Sequence, residues 1–191
     1  MTCQSSDAIE DDRGAGAGTE ESDQSRVASA MKELRKTGWY WGSLTANEAR
    51  EILQDSSEGT FLLRDSSQRD FLFTISAMTS AGPTNLRIEF RHGKFKLDSV
   101  VLVKPKLKQF DSVVHLVEHY VQLSRTSRAA PAGGAGPNGT VQLLLTRPVY
   151  RSTPSLQHLC RVAINGSARR VQDLPLPPRL KDYLTDYAYN V

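Results

Sequence analysis

Residues 60–90 hold three runs in which apolar and polar side chains alternate, and this alternation restricts the chain more than any other feature. Successive side chains of a strand project to opposite faces. In TFLLRDS, starting at Thr60, Phe61 and Leu63 share one face while Leu62 and Arg64 share the other. In FLFTISAM, Phe71, Phe73 and Ile75 oppose Leu72, Thr74 and Ser76. In TNLRIEF, Leu86, Ile88 and Phe90 oppose Asn85, Arg87 and Glu89. Each run has one wholly apolar face, which predicts a sheet that covers a core on that side. If the strands are neighbours, the opposite face gathers Arg64, Thr74, Ser76 and Arg87.

Arg64 is the anomaly in this pattern. A guanidinium is seldom buried without a partner, and this one interrupts an apolar run. Asp65 and Asp70 are candidate partners, but Asp65 alternates to the other face. Two arginines with several hydroxyls, and with Ser66 and Ser67 on the following turn, have the makings of a dianion site. Phosphate suits such a site because a guanidinium donates two parallel hydrogen bonds to it. Pairing of Arg64 with a nearby aspartate is the competing account.

The remaining pattern predicts an α+β fold, an antiparallel sheet flanked by two helices. Residues 1–25 are acidic and Gly/Ser-rich, so they are expected to be disordered. Val27, Ala30, Met31 and Leu34 lie at helical spacing within a predicted helix over 26–38 that docks on the next domain. Trp39, Tyr40 and Trp41 follow. Thr45 is a candidate N-cap, and Glu48 completes a capping box before the apolar stripe Ala49, Ile52 and Leu53. AGP at 81–83 predicts a turn, and HGKFKLDS a second turn with a short strand. FDSVVHLVEHYVQL reads as a helix capped by Asp111 or Ser112. A Gly/Pro-rich loop at 128–139 precedes VQLLLTRPVY, the expected final strand of a domain over 39–150.

The segment 151–191 carries a separate signal. Thr153 is a candidate N-cap with Pro154 at the first helical position. Leu156, Leu159, Cys160 and Ala163 repeat at helical spacing. Leu174, Pro175, Leu176 and Pro177 form an extended stretch, and Leu180, Tyr183, Leu184 and Tyr187 a second helical stripe. So small a segment cannot build its own core. Either it packs on the preceding domain or its apolar faces await a partner, and the pattern leaves both open.

Composition narrows the function classes. A net charge of +3 demands neither a nucleic-acid nor a membrane partner. No apolar run approaches the roughly 18 residues of a membrane span, and no signal peptide is expected. Two cysteines, Cys3 and Cys160, make neither a disulfide framework nor a four-ligand zinc site. A soluble, cytoplasmic protein in a reducing compartment fits best. His115 and His119 have metal-ligand spacing but no acidic or cysteine partner, and Cys160 sits in an apolar stripe rather than beside a base. No metal, cofactor or catalytic residue is expected.

GWYWGSLT, GTFLLRDSS, FTIS, NLRIEF and VVHLVEHYV together resemble an SH2 domain over Trp39–Tyr150, and SLQHLCR with LPLP resembles a SOCS box. The two halves resemble the suppressors of cytokine signalling over 26–191. The resemblance implies a phosphotyrosine site made by Arg64, Ser66, Ser67, Thr74 and Arg87. Many SH2 domains carry a second arginine just after the capping threonine; here that position is Ala46, and Arg87 is expected to take over. The resemblance further implies that Leu156, Leu159 and Cys160 contact elongin C, in its pair with elongin B. It also implies that Leu174, Pro175, Leu176 and Pro177 select cullin-5 with its RING partner. The implied function is a non-catalytic substrate receptor of a ubiquitin ligase that attenuates JAK–STAT signalling from cytokine or growth-hormone receptors. An adaptor that blocks receptor phosphosites is the alternative.

Overall fold

The computed structural model describes residues 17–98, 108–129 and 143–191. Helix α1, Ala17–Thr37, starts nine residues before the predicted position. The expectation of disorder is therefore corrected for 17–25, while 1–16 lie outside the described residues. Ala30 and Leu34 are buried and Met31 packs beside them, as their spacing predicts. Helix α2, Ala46–Leu53, carries the predicted capping box: Thr45 accepts from the Glu48 N–H, and Glu48 accepts from the Thr45 N–H.

Five strands form one sheet: β1 (Thr60–Asp65), β2 (Phe73–Thr79), β3 (Gly82–Arg91), β4 (Lys94–Leu97) and β5 (Arg147–Pro148), in the order β4-β3-β2-β1-β5. The first four are antiparallel neighbours. β5 departs from expectation: it spans two residues and runs parallel to β1. Pro148 has no N–H, which removes one ladder donor. The backbones meet closely there, and a Cβ on Gly59 would lie 2.6 Å from Thr146 Oγ1. The β2–β3 turn is also displaced. Thr79 pairs with Gly82, so the turn is Ser80–Ala81, and Pro83 already lies in β3. Pro83 is tolerated because β4 pairs only with residues 88–91, leaving that edge of β3 open. The β3–β4 turn is His92–Gly93, both at positive φ, the geometry of a two-residue hairpin.

The predicted faces are the observed ones within the strands; Phe71, expected on the apolar face, lies before β2 and its ring stacks on Arg87 instead. Phe61, Leu63, Phe73, Ile75, Leu86 and Ile88 join Trp39, α1 and helix α3 (Val113–Ala129) in one core. Leu62 packs on the opposite face with Ala49 and Leu53 of α2. α2 therefore covers the face that bears the arginines. The loop predicted at 128–139 lies largely outside the described residues.

After the sheet come α4 (Leu156–Ser167), a 3-10 turn (Val171–Asp173) and α5 (Pro178–Asp186). The N-cap of α4 is Ser155 rather than Thr153; its hydroxyl accepts from the His158 N–H at 3.2 Å. Pro178, not Pro154, occupies a first helical position. Tyr187 and Val191 are buried in the sheet's core. The Tyr189 hydroxyl donates to Ser112 Oγ at 3.1 Å, and the Asn190 N–H to Glu118 at 2.9 Å. One part of this segment packs on the sheet domain and another stays exposed. Residues 187–191 dock on the sheet domain, while Leu156, Leu159 and Leu180 stay exposed.

Candidate functional site

Strand register builds the first site. Arg64, Thr74 and Arg87 pair across β1, β2 and β3 as one row; Leu62, Ser76 and Asn85 form the next. Arg64 is 3% exposed. Its Nε donates to Ser76 Oγ at 3.0 Å, one Nη to Asn85 Oδ1 at 3.1 Å and the other to the Asp65 carbonyl at 3.1 Å. Every one of these acceptors is neutral. The Asp65 carboxylate faces away and takes the Tyr40 hydroxyl instead, as alternation predicts. No carboxylate among the described residues forms an ion pair with Arg64. Burial lowers the pKa of the guanidinium, which records the desolvation of its charge. An incoming anion would offset that cost.

A cavity of about 330 Å³ opens beside Arg64, lined by Arg64, Asp65, Ser66 and Ser67, by Ser43 and Leu44, and by Thr45, Ala46 and Asn47 at the start of α2; the Asp65 carboxylate itself is taken by Tyr40. The loop after β1 is shaped locally: the Ser66 N–H donates to the Leu72 carbonyl, and Ser66 Oγ accepts from the Gln68 N–H. The cavity therefore meets one guanidinium, two loop hydroxyls and the positive end of a helix, a set suited to a compact anion.

The other expected residues divide. Thr74 is buried between the two arginines of its row. Arg87 does not line the cavity. One Nη lies 2.5 Å from Asp98 Oδ2, the other donates to Gln68 Oε1 at 2.6 Å, and the guanidinium stacks 4.5 Å from the Phe71 ring centre. Asn85 was not among the predicted site residues. Alternation had already placed it on the arginine face, but a neutral amide carries no charge signal of its own. It accepts from both Arg64 and Ser76.

The second site is an apolar groove of about 400 Å³ between α4 and α5. Leu156, Cys160 and Ile164 line one wall; Leu176, Leu180 and Leu184 line the other. Leu156 is 77% exposed. Leu159 is also exposed but lies off the groove lining. Of the LPLP stretch, only Leu176 enters the groove; Leu174 is half-buried, and Pro175 and Pro177 are exposed. Ile164, Leu180 and Leu184 were missing from the predicted set, although the helical stripe of α5 had already aligned its two leucines.

A second buried arginine braces this groove. Arg161 donates to the Tyr183 carbonyl at 3.2 Å and stacks on Tyr183 and Tyr187 at 4.2 and 5.1 Å. His158 Nδ1 lies 2.9 Å from its Nη2, and Asp186 lies 3.8 Å from its Nη1. Burial, then the charge of Arg161, push the His158 pKa down. Elsewhere, His115 and His119 both pack on Phe110. No cluster of three metal-ligating side chains occurs among the described residues, and none of their helices is long and apolar enough to cross a membrane.

Known proteins match this arrangement. The family profile described as SH2 domain matches residues 39–120, and the one described as SOCS box matches 152–185. The chain is 59% identical to human suppressor of cytokine signaling 2, across 93% of this chain and 89% of that protein. It is 60% identical to the Sus scrofa protein of the same name, across 87% and 83%. Against the cytokine-inducible SH2-containing protein of Gallus gallus it is 45% identical, across 86% and 72%.

Proposed function

The chain belongs to the suppressor of cytokine signalling family, and from that premise we propose that it restrains cytokine signalling as the phosphotyrosine-reading substrate receptor of a ubiquitin ligase. One observation carries the reading: Arg64 is buried among neutral acceptors at the floor of an open cavity. A phosphotyrosine would supply the missing counter-charge, with Ser66 and Ser67 donating from the loop and Thr74 lining the row beside Arg64. Arg87 would reach the phosphate only by leaving Asp98. The remainder of the phosphopeptide, from a cytokine or growth-hormone-type receptor, would cross the sheet.

The exposed groove is the recruiting element. Leu156 and Cys160 on α4 would insert into elongin C of the elongin B–elongin C pair, with Leu159 at the rim. Leu174, Pro175, Leu176 and Pro177 would meet cullin-5 and its RING partner. The chain itself acts by proximity rather than by catalysis, in the cytoplasm where receptor tails are phosphorylated. The test is coexpression with elongins B and C, then titration with a phosphotyrosine peptide and its unphosphorylated twin. A stable ternary complex that binds only the phosphorylated peptide supports the reading; a chain that copurifies with no elongin counts against ligase recruitment.

A second reading is a blocking adaptor that occupies receptor phosphosites. It draws on the docking of Tyr187 and Val191 into the sheet's core, which gives the C-terminal segment a structural role without any partner. Leu156→Glu separates the two, because target turnover would be unaffected in the adaptor.

A further inference from the structure

A separate, smaller cavity of about 150 Å³ lies between α2 and the sheet. Ala46, Asn47 and Arg50 line it from one flank of α2, where residues three and four apart are neighbours. Ser76 of β2 and Thr84 and Asn85 of β3 line it from below. Ala46 and Asn47 also line the Arg64 cavity, so the two spaces adjoin. Ser76 and Asn85 are the same side chains that accept from Arg64. Asn85 Oδ1 is taken up by Arg64 and Ser76, which leaves the amide only its Nδ2 hydrogens to offer. Arg50 is exposed and forms no ion pair among the described residues. It is the one charged group among the described residues that line the cavity, and no carboxylate is among them.

We infer that this cavity is an acid-reading subsite: Arg50 receives the carboxylate of an aspartate or glutamate that flanks the phosphotyrosine in the same peptide, and Asn85 donates beside it. This rests on the phosphate reading of the Arg64 cavity. A guanidinium donates two parallel hydrogen bonds to a carboxylate, and one cation matches one monoanion. The volume is less than half the 330 Å³ of the Arg64 cavity, which suits a side-chain carboxylate rather than a second phosphotyrosine. An extended peptide advances roughly 3.3–3.6 Å per residue, so the shared wall at Ala46 and Asn47 confines the acid to the few residues next to the phosphotyrosine. Asn85 joins the two events, because its oxygen holds Arg64 while its N–H groups meet the flanking acid.

The test is calorimetric titration of the wild-type chain and Arg50→Gln, each in complex with elongins B and C. The probes are phosphotyrosine peptides that carry a single aspartate, moved one position at a time along both flanks of the phosphotyrosine, with asparagine twins of each. At one flanking position aspartate is expected to bind the wild type about fivefold more tightly than asparagine, the upper scale of an exposed ion pair. Arg50→Gln is expected to erase that difference. Arg50 is exposed on α2 and glutamine is a good helix former, so the variant should fold. A gain at no position, or a gain that Arg50→Gln retains, overturns the subsite. Unphosphorylated twins keep the two readings apart. A wild-type chain indifferent to the tyrosine phosphate removes the Arg64 cavity reading, whereas phosphate dependence without an Arg50-dependent gain removes the subsite alone.

Discussion

Arg64 and Arg161 are both buried arginines surrounded mainly by neutral groups, and they serve opposite ends. Arg161 is enclosed: a carbonyl, a histidine nitrogen, two aromatic faces and a carboxylate close around it, although its Nε has no hydrogen-bond partner among the described residues. Arg64 touches one hydroxyl, one amide and one carbonyl, and a cavity lies open beside it. Burial of a charge is therefore not what marks a ligand site. The mark is a buried charge whose neutral contacts leave room for an anion.

The comparison can be broken by truncating each arginine. Arg64→Ala should weaken phosphotyrosine-peptide binding by roughly 3–5 kcal/mol, about a hundredfold to a few thousandfold, as calorimetry would read. Arg161→Ala should instead lower folding stability by about 2–4 kcal/mol through lost charged hydrogen bonds and ring stacking, seen in denaturant melts. Its phosphopeptide affinity should stay as in the wild type, and a loss there would erase the distinction.

Leu156→Ala sharpens the contrast from the groove side. The side chain is 77% exposed, so folding stability should change by less than about 0.5 kcal/mol. Elongin capture should fall by about 2 kcal/mol, roughly thirtyfold, as for an apolar anchor buried only in the complex. Surface-immobilised elongin B–elongin C would measure it.

The smallest effect is a pH dependence confined to the C-terminal helices. His158 has its pKa depressed below the ordinary 6.5, first by burial and then by Arg161. The neutral imidazole is therefore the folded form, and the unfolded chain binds the extra proton first. Stability should be full above about pH 6.5 and decline as pH falls toward the lower folded value. His158→Gln should remove that part of the acid sensitivity in thermal melts, and an unchanged acid slope would refute the assignment.

Local features were readable in the sequence and nonlocal ones less so. The capping box of Thr45 and Glu48 depends on residues three apart, and it stands as predicted. The strand faces depend on simple alternation, and they hold within the strands, while Phe71 departs because β2 starts only at Phe73. The brevity and parallel sense of β5 depend on a pairing between residues near 60 and near 147, which no local pattern reports. The partner of Arg87 was derivable in part: a two-residue turn at His92–Gly93 fixes the register that brings Asp98 alongside. The groove was half visible, since the stripes of α4 and α5 were each read while their facing was not. The N-cap at Ser155 was missed because Thr153 followed by proline has the same local signature.

The most direct test substitutes lysine for each buried arginine in turn, keeping the charge and removing the fork. Phosphotyrosine-peptide affinity and melting temperature are then measured on the same samples. The predicted result is a crossed pattern: Arg64→Lys loses affinity with little change in melting temperature, and Arg161→Lys loses melting temperature with affinity intact. Equal loss of affinity in both variants, or none in Arg64→Lys, would contradict the claim that Arg64 alone of the two waits for an anion.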